Sequence, residues 1–318
     1  MNIVITGGAG FLGSLLTQAL LRTYPEKIKR ITLIDRVKLN DEALFDSRIH
    51  SVIADITEPT QVATLIHSDI SHVFHLAAIV SSHAEEDFDL GMQVNLNATH
   101  LLLEQCRRIN PNIRFIFASS LAVFGGQLPS VISPMTATQP SSSYGTQKAI
   151  CELLVNDYAR KGFVDALTVR LPTICIRPGS PNKAASSFVS GIIREPLKGE
   201  PSNCPVDLDL PLWVSSPDTV INNIIHASQL NKSHVQGFKV FNLPGIKVTP
   251  RQMLAALDQE IAGSRSTLVS HNHDSKIAQI VANWPQAFDN SKELELGFYV
   301  DVNFNAILKA YLKHYPVV

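Results

Sequence analysis

Residues 2–13 read Asn2-Ile3-Val4-Ile5-Thr6-Gly7-Gly8-Ala9-Gly10-Phe11-Leu12-Gly13, and after a helical stretch the chain continues Arg30-Ile31-Thr32-Leu33-Ile34-Asp35. The opening apolar run is a strand that ends in a glycine turn and passes into an amphipathic helix. Glycines there allow a tight turn, remove side chains that would block a pyrophosphate and let helix and strand pack closely, while the helix N-terminus offers N–H groups to phosphate. A glycine triplet alone is a weak signal. Here a second strand ends in Asp35, about 20 residues on, where a carboxylate can accept both ribose hydroxyls. The combination predicts a dinucleotide grip made by Gly7, Gly10, Phe11, Leu12, Gly13 and Asp35. Asp35 repels a 2′-phosphate, which favours NAD over NADP, whereas Arg36 beside it argues the other way.

Working outward, near-continuous apolar runs at 2–6, 30–35, 50–54, 72–77, 113–118 and 165–170 alternate with helical patterns at about 11–23, 59–66, 84–109 and 142–161. Repeated βαβ units imply an α/β chain with a Rossmann-type, doubly wound parallel sheet, whose ligands bind outside the carboxyl ends of the strands. From Leu171 the texture changes to Pro- and Ser-rich loops, with short helices expected near 184–194, 217–229, 250–261 and 302–313 and a strand at 238–243. The expected division is a dinucleotide-binding domain over 1–170 and a smaller C-terminal substrate-binding lobe over 171–318, with about 217–243 returning to the core.

The chain has 318 residues, 45% apolar and 17% charged, with a formal net charge of -1. Such a balance gives no general electrostatic grip on nucleic acid or on an anionic membrane, and a small-molecule partner is expected. No apolar stretch approaches the roughly 18 residues of a membrane span. The N-terminus lacks the basic region and cleavage site of a signal peptide. Cys106, Cys151, Cys175 and Cys204 show no C-x-x-C spacing, so they read as reduced thiols of a cytoplasmic protein. His271 and His273 stand in a polar loop without further ligands, so no metal site is expected, and His75 reads as a packed strand residue.

Tyr144-Gly145-Thr146-Gln147-Lys148 opens a predicted helix, which puts phenol and ammonium on one face. A phenol of pKa about 10 needs preferential stabilisation of its anion to accept a proton at neutral pH, and Lys148 can supply positive charge. So tuned, Tyr144 exchanges a proton with an alcohol as hydride leaves its carbon. Ser119 and Ser120 end a strand where a hydroxyl could hold the reacting oxygen. Tyr-x-x-x-Lys alone occurs on many helices; the strand-end serines and the glycine turn give it weight.

Taken together, Thr6 to Gly13, Asp35, Asp55-Ile56, His75-Leu76-Ala77-Ala78, Asn95, Ser119 to Gly125, Tyr144/Lys148 and Arg170-Leu171-Pro172 resemble, in order, the extended short-chain dehydrogenase/reductases, the family of nucleotide-sugar epimerases. The resemblance implies Ser120, Tyr144 and Lys148 as the catalytic set, with Lys148 holding the ribose as well. It also implies Asp55, Ile56, Ala77, Ala78, Asn95 and Pro172 as cofactor-side residues; Asp55 has the alternative of capping the helix that follows. Members acting on nucleotide sugars carry an arginine that meets the diphosphate, but the corresponding stretch here is Leu210-Pro211-Leu212-Trp213-Val214-Ser215-Ser216-Pro217-Asp218.

The strings Ser81 to Asp89, Ser119 to Gly126, Arg170 to Ile174 and Arg177 to Pro196 are similar to the D-erythronate dehydrogenase group within that family. This implies NAD-dependent oxidation of C2 of a four-carbon sugar acid to 2-oxo-tetronate. A carboxylate substrate needs a cation, and Arg177 or Arg194 could provide it, with Asn182, Ser186 and Ser187 for the hydroxyls. Each of these reads equally as a surface or capping residue. The rival expectations are a nucleotide-sugar epimerase or dehydratase with tightly bound NAD, and an NAD-binding sensor without turnover. Helices at 84–109 and 142–161 are long enough to pair across a two-fold axis in a homodimer.

Overall fold

The computed structural model describes residues 1–39, 44–181, 184–231, 235 and 237–316. Its strands are β1 (Asn2–Thr6), β2 (Arg30–Asp35), β3 (Ile49–Ile53), β4 (His72–His75), β5 (Arg114–Ser120), β6 (Asp165–Leu171), β7 (Thr173–Ile174), β8 (Ser202–Asn203), β9 (Leu212–Ser215), β10 (Val240–Asn242), β11 (Ile246–Val248) and β12 (Val269–Ser270). β10-β6-β5-β4-β1-β2-β3 form a seven-stranded sheet. The pairs β1/β2, β1/β4, β2/β3 and β4/β5 run parallel. This is the predicted Rossmann-type doubly wound architecture. The strand order reverses at β1, and in such a sheet ligands bind in the crevice outside the carboxyl ends of the strands at that point.

Two compact units divide the chain. The first comprises Met1–Ser120, Ser143–Arg170 and Ile221–Phe241; the second comprises Leu121–Ser142, Leu171–Val220 and Asn242–Val318. Residues 121–142 thus fall with the second unit. The central strands are apolar on both faces because helices cover them: Val4, Ile34, Val73, Phe115 and Phe117 pack with Leu102, Leu103, Cys151 and Val155. Strand β3 departs from that pattern, with Ile53 62% exposed, because it is the sheet edge.

The first unit carries α1 (Phe11–Thr23), α2 (Pro59–Leu65), α3 (Ser81–Glu86), α4 (Phe88–Gly91), α5 (Ala98–Ile109) and α6 (Ser143–Arg160). The single helix expected over 84–109 is broken. Asp87 takes a non-helical backbone and its carboxylate accepts the Leu90 N–H. Residues Met92–Asn97 then form a wide π-helical turn, in which the Ala98 N–H reaches Gln93 O. Periodicity alone does not register either feature, since the apolar face continues through both.

In the second unit lie α7 (Ser187–Leu197), α9 (Pro250–Glu260), α10 (Ser275–Ala282), α11 (Ser291–Glu295) and α12 (Phe304–His314), while α8 (Pro217–Gln229) begins there. Its own core gathers Ile192, Ile193, Val214, Met253, Leu257, Phe304 and Leu308. Asp301 fixes the start of α8 by accepting from the Ser215, Ser216 and Thr219 hydroxyls and from the Ser216 N–H. The four cysteines are free and buried. Among the described residues no helix is long and apolar enough to cross a membrane, and no group of three His, Cys, Asp or Glu could hold a metal ion.

Candidate active site

Gly7 follows β1 with φ +71°, and a Cβ there would stand 2.9 Å from Ala77 N, so the loops after β1 and β4 touch at the crevice. Gly10 N–H closes the turn on Gly7 O at 3.1 Å. A Cβ on Gly13 would come 2.4 Å from Gly7 O and 2.8 Å from Gly8 O, so α1 can lie on this turn only through a glycine. Helix α1 starts at Phe11 and Leu12 with Gly10 as N-cap and no side-chain cap. A cradle without side chains at a helix N-terminus fits a dinucleotide pyrophosphate.

At the neighbouring strand end the Asp35 carboxylate accepts the Ala9 N–H at 3.1 Å, which ties β2 to the glycine loop. Arg36 turns to Asp55, with Nε 3.4 Å from Oδ2. Asp55 is itself held by the Thr57 N–H and hydroxyl at 2.9 and 2.7 Å. Ile56 is buried, with its side chain in the core.

Under the crevice lies a polar chain that the sequence reading did not assign. Thr6 Oγ1 is 2.6 Å from His75 Nδ1, and His75 Nε2 is 2.9 Å from Thr99 Oγ1. The Thr6 hydroxyl also accepts from Ala77 N at 3.3 Å. Burial, with Lys148 nearby, pushes the His75 pKa down to about 3, so the ring is neutral and packed as its strand position suggests.

Asn95, 1% exposed, accepts the Ile79 N–H at 2.8 Å and donates to Ile79 O at 3.1 Å and to Gln147 Oε1 at 2.7 Å. It therefore fixes the loop containing Ala77 and Ala78 against α6. The buried amide allows no bulk opposite: a Cβ on Gly91 would stand 2.6 Å from Gln147 Nε2.

The N-terminus of α6 is set by Glu85, which accepts the Ser143 N–H at 2.8 Å, a favourable place for a carboxylate. One residue on, the Tyr144 phenol shares a hydrogen bond with the Ser120 hydroxyl at the end of β5. Lys148 is 2% exposed and donates to Ala118 O at 2.8 Å. Its Nζ is 4.6 Å from the Phe117 ring centre and 5.7 Å from that of Tyr144. Serine, tyrosine and lysine are thus assembled on β5 and α6.

Burial pushes the Tyr144 phenol up to about 12, against the Ser120 hydrogen bond. Burial also brings Lys148 down to about 8, with Cys151 and Glu152 opposing, and its ammonium is directed at a backbone carbonyl.

One turn beyond Lys148, Glu152 forms a buried bidentate pair with Arg170 and accepts the Ser119 hydroxyl at 2.5 Å. The network locks the ends of β5 and β6 to α6. The sequence signal for Glu152 is its position four residues after Lys148, which places it on the same helix face.

In the second unit, Pro172 is buried between β6 and β7. The two arginines differ from one another. Arg194, 2% exposed, donates to Arg177 O at 2.8 Å and to the Glu195 carboxylate. It braces the Arg177 segment through both of its amino groups, while its Nε is buried without a hydrogen-bond partner. The Arg177 backbone is further held by Ser190 Oγ at 3.0 Å, and burial together with Arg194 lowers the pKa of its guanidinium. Ser186 is the N-cap of α7, without a side-chain cap bond, and Ser187 is its first residue. Asn182 lies outside the described residues.

Residues 3–214 match the NAD dependent epimerase/dehydratase family. The chain is 51% identical over 317 residues to the D-erythronate dehydrogenase of Haemophilus influenzae, covering 99% of each. It is 46% identical over 320 residues to that of Cupriavidus necator, covering 98% of each. Among solved structures, the nucleoside-diphosphate-sugar epimerase from Agrobacterium tumefaciens superposes with a TM-score of 0.92 at 37% identity, over 98% of this chain and 94% of that one.

Proposed function

The chain belongs to the NAD dependent epimerase/dehydratase family, as an oxidoreductase of the short-chain dehydrogenase type that uses a nicotinamide cofactor, and on that premise we propose that it oxidises D-erythronate at C2 with NAD. The observation that carries the proposal is end-to-end identity of about half with two D-erythronate dehydrogenases. Asp35 supports NAD in particular, since a carboxylate at the end of β2 disfavours a 2′-phosphate.

Bound NAD supplies the hydride acceptor. Tyr144 takes the C2 hydroxyl proton, and the Ser120 hydroxyl, already bonded to the phenol, holds the oxygen. With the phenol at about 12 in the protein itself, proton acceptance needs nearby positive charge, and the Lys148 ammonium is placed to provide it. Arg177 is proposed for the substrate carboxylate, with Ser186 and Ser187 for hydroxyls, because Arg194 is committed to Glu195 and to the Arg177 carbonyl. Gly7, Gly10, Phe11, Leu12, Gly13, Asp35, Asp55, Ala77 and Ala78 are proposed to line the cofactor, with Pro172 beside it. Asn95 acts through the loop it holds.

The likeness to a nucleoside-diphosphate-sugar epimerase supports a second reading, in which the cofactor is regenerated in each cycle. Four-carbon sugar acids and nucleotide sugars offered separately with NAD, with absorbance read at 340 nm, discriminate the two. Steady NADH formation with D-erythronate is expected. Epimerised nucleotide sugar without net NADH would overturn the proposal.

A further inference from the structure

Arg36 follows directly on the residue proposed to bind the ribose, and an arginine at this place is the group that would welcome a 2′-phosphate. In the register of the sheet Asp35 pairs with Ile53, and the Ala54 N–H donates to Asp35 O at 2.9 Å, so the segments leaving β2 and β3 run side by side. Across that short gap Arg36 Nε meets Asp55 Oδ2 at 3.4 Å.

The two partners are unequal. Arg36 is 64% exposed and could turn elsewhere, whereas Asp55 is 27% exposed and anchored by both polar groups of Thr57. The anchored carboxylate therefore offers the exposed guanidinium a fixed partner. Lys38, two residues on, is exposed and carries the same sign of charge as Arg36.

We propose that Asp55 is a cofactor-specificity residue that acts through Arg36: it holds the guanidinium away from the position of a 2′-phosphate and so removes the contrary signal beside Asp35. The inference rests on the NAD reading. It adds that discrimination depends on two carboxylates, Asp35 repelling the extra phosphate and Asp55 withholding its counter-charge. An exposed ion pair is weak, so the expected effect is a change in ratio and not a switch of cofactor.

The test is calorimetric binding of NADH and NADPH to the full-length wild type, Asp55→Asn, Arg36→Ala and the double variant, each shown to be folded by its thermal transition. Asp55→Asn is expected to shift the NADPH-to-NADH affinity ratio toward NADPH by about fivefold, the upper range for an exposed pair. The shift should be absent when Arg36 is already alanine. An unchanged ratio, or an equal shift in both arginine backgrounds, overturns the proposal. A wild type that prefers NADPH overturns this proposal and the NAD reading together, whereas failure of the coupling in an NADH-preferring wild type overturns this one alone.

Discussion

Glu152 and Arg170 meet in a buried bidentate pair, Oε1 2.9 Å from Nε and Oε2 2.7 Å from Nη2, joining α6 to the end of β6. The same Oε1 accepts the Ser119 hydroxyl, one residue before Ser120. Removing one partner of such a pair strands the other charge in a dry interior, which costs about 3–5 kcal/mol. Glu152→Ala is expected to lower urea stability by that order and to reduce kcat more than cofactor affinity, because Ser120 and Lys148 lose a shared brace. Unchanged stability would mean that the pair contributes nothing.

Lys148 carries a cost of its own. Its pKa is about 8 in the folded chain against an ordinary 10.5, so between those values the unfolded state holds more protons and stability rises with pH. Below about pH 8 the full penalty of the buried ammonium is present. Lys148→Met is therefore expected to be inactive and yet more stable than wild type at pH 7, by up to the order of 3 kcal/mol. The difference should narrow from pH 8 to 10.5, as followed by thermal unfolding; a less stable variant at pH 7 would contradict this.

His75 works in the opposite pH range. The folded ring protonates near 3 and the unfolded one near 6.5, so as pH falls below 6.5 the unfolded state gains a proton that the native state refuses. Stability is expected to decline from pH 6.5 toward 3, by at most about 1.4 kcal/mol per pH unit from this residue. Unfolding across that range should show a shallower decline in His75→Gln, and parallel curves would rule the histidine out.

Gly13 has no room for a methyl group, since its Cβ would press on the backbone oxygens of Gly7 and Gly8. Gly13→Ala forces α1 off the turn, at about 1–3 kcal/mol for overpacking. NADH titration should show at least a tenfold weaker complex, because the helix N-terminus moves away from the pyrophosphate. Wild-type affinity would place the phosphates elsewhere.

Legibility in the sequence followed the range of the interactions concerned. The glycine turn, Asp35 and the Tyr144/Lys148 spacing are local motifs, readable from a few residues and the strand or helix that carries them. The Thr6-His75-Thr99 chain and the Ser119-Glu152-Arg170 network join residues far apart in sequence, and only the sheet order brings them together. The π-helical turn around Asn95 was hidden because it keeps the apolar face of its neighbours. For Arg194 sequence gives charge but not burial, and only the fold shows its pairing with Glu195. The low intrinsic acidity of Tyr144 was likewise invisible, since desolvation depends on what surrounds the ring.

The central claim is net hydride transfer from C2 of D-erythronate to NAD, and the most direct measurement is mass spectrometry of NADH formed from D-erythronate deuterated at C2, with Tyr144→Phe as control. The predicted result is NADH one mass unit heavier, formed in many turnovers by the wild type and lost in the variant. Unlabelled NADH, or none with intact protein and cofactor, would contradict it.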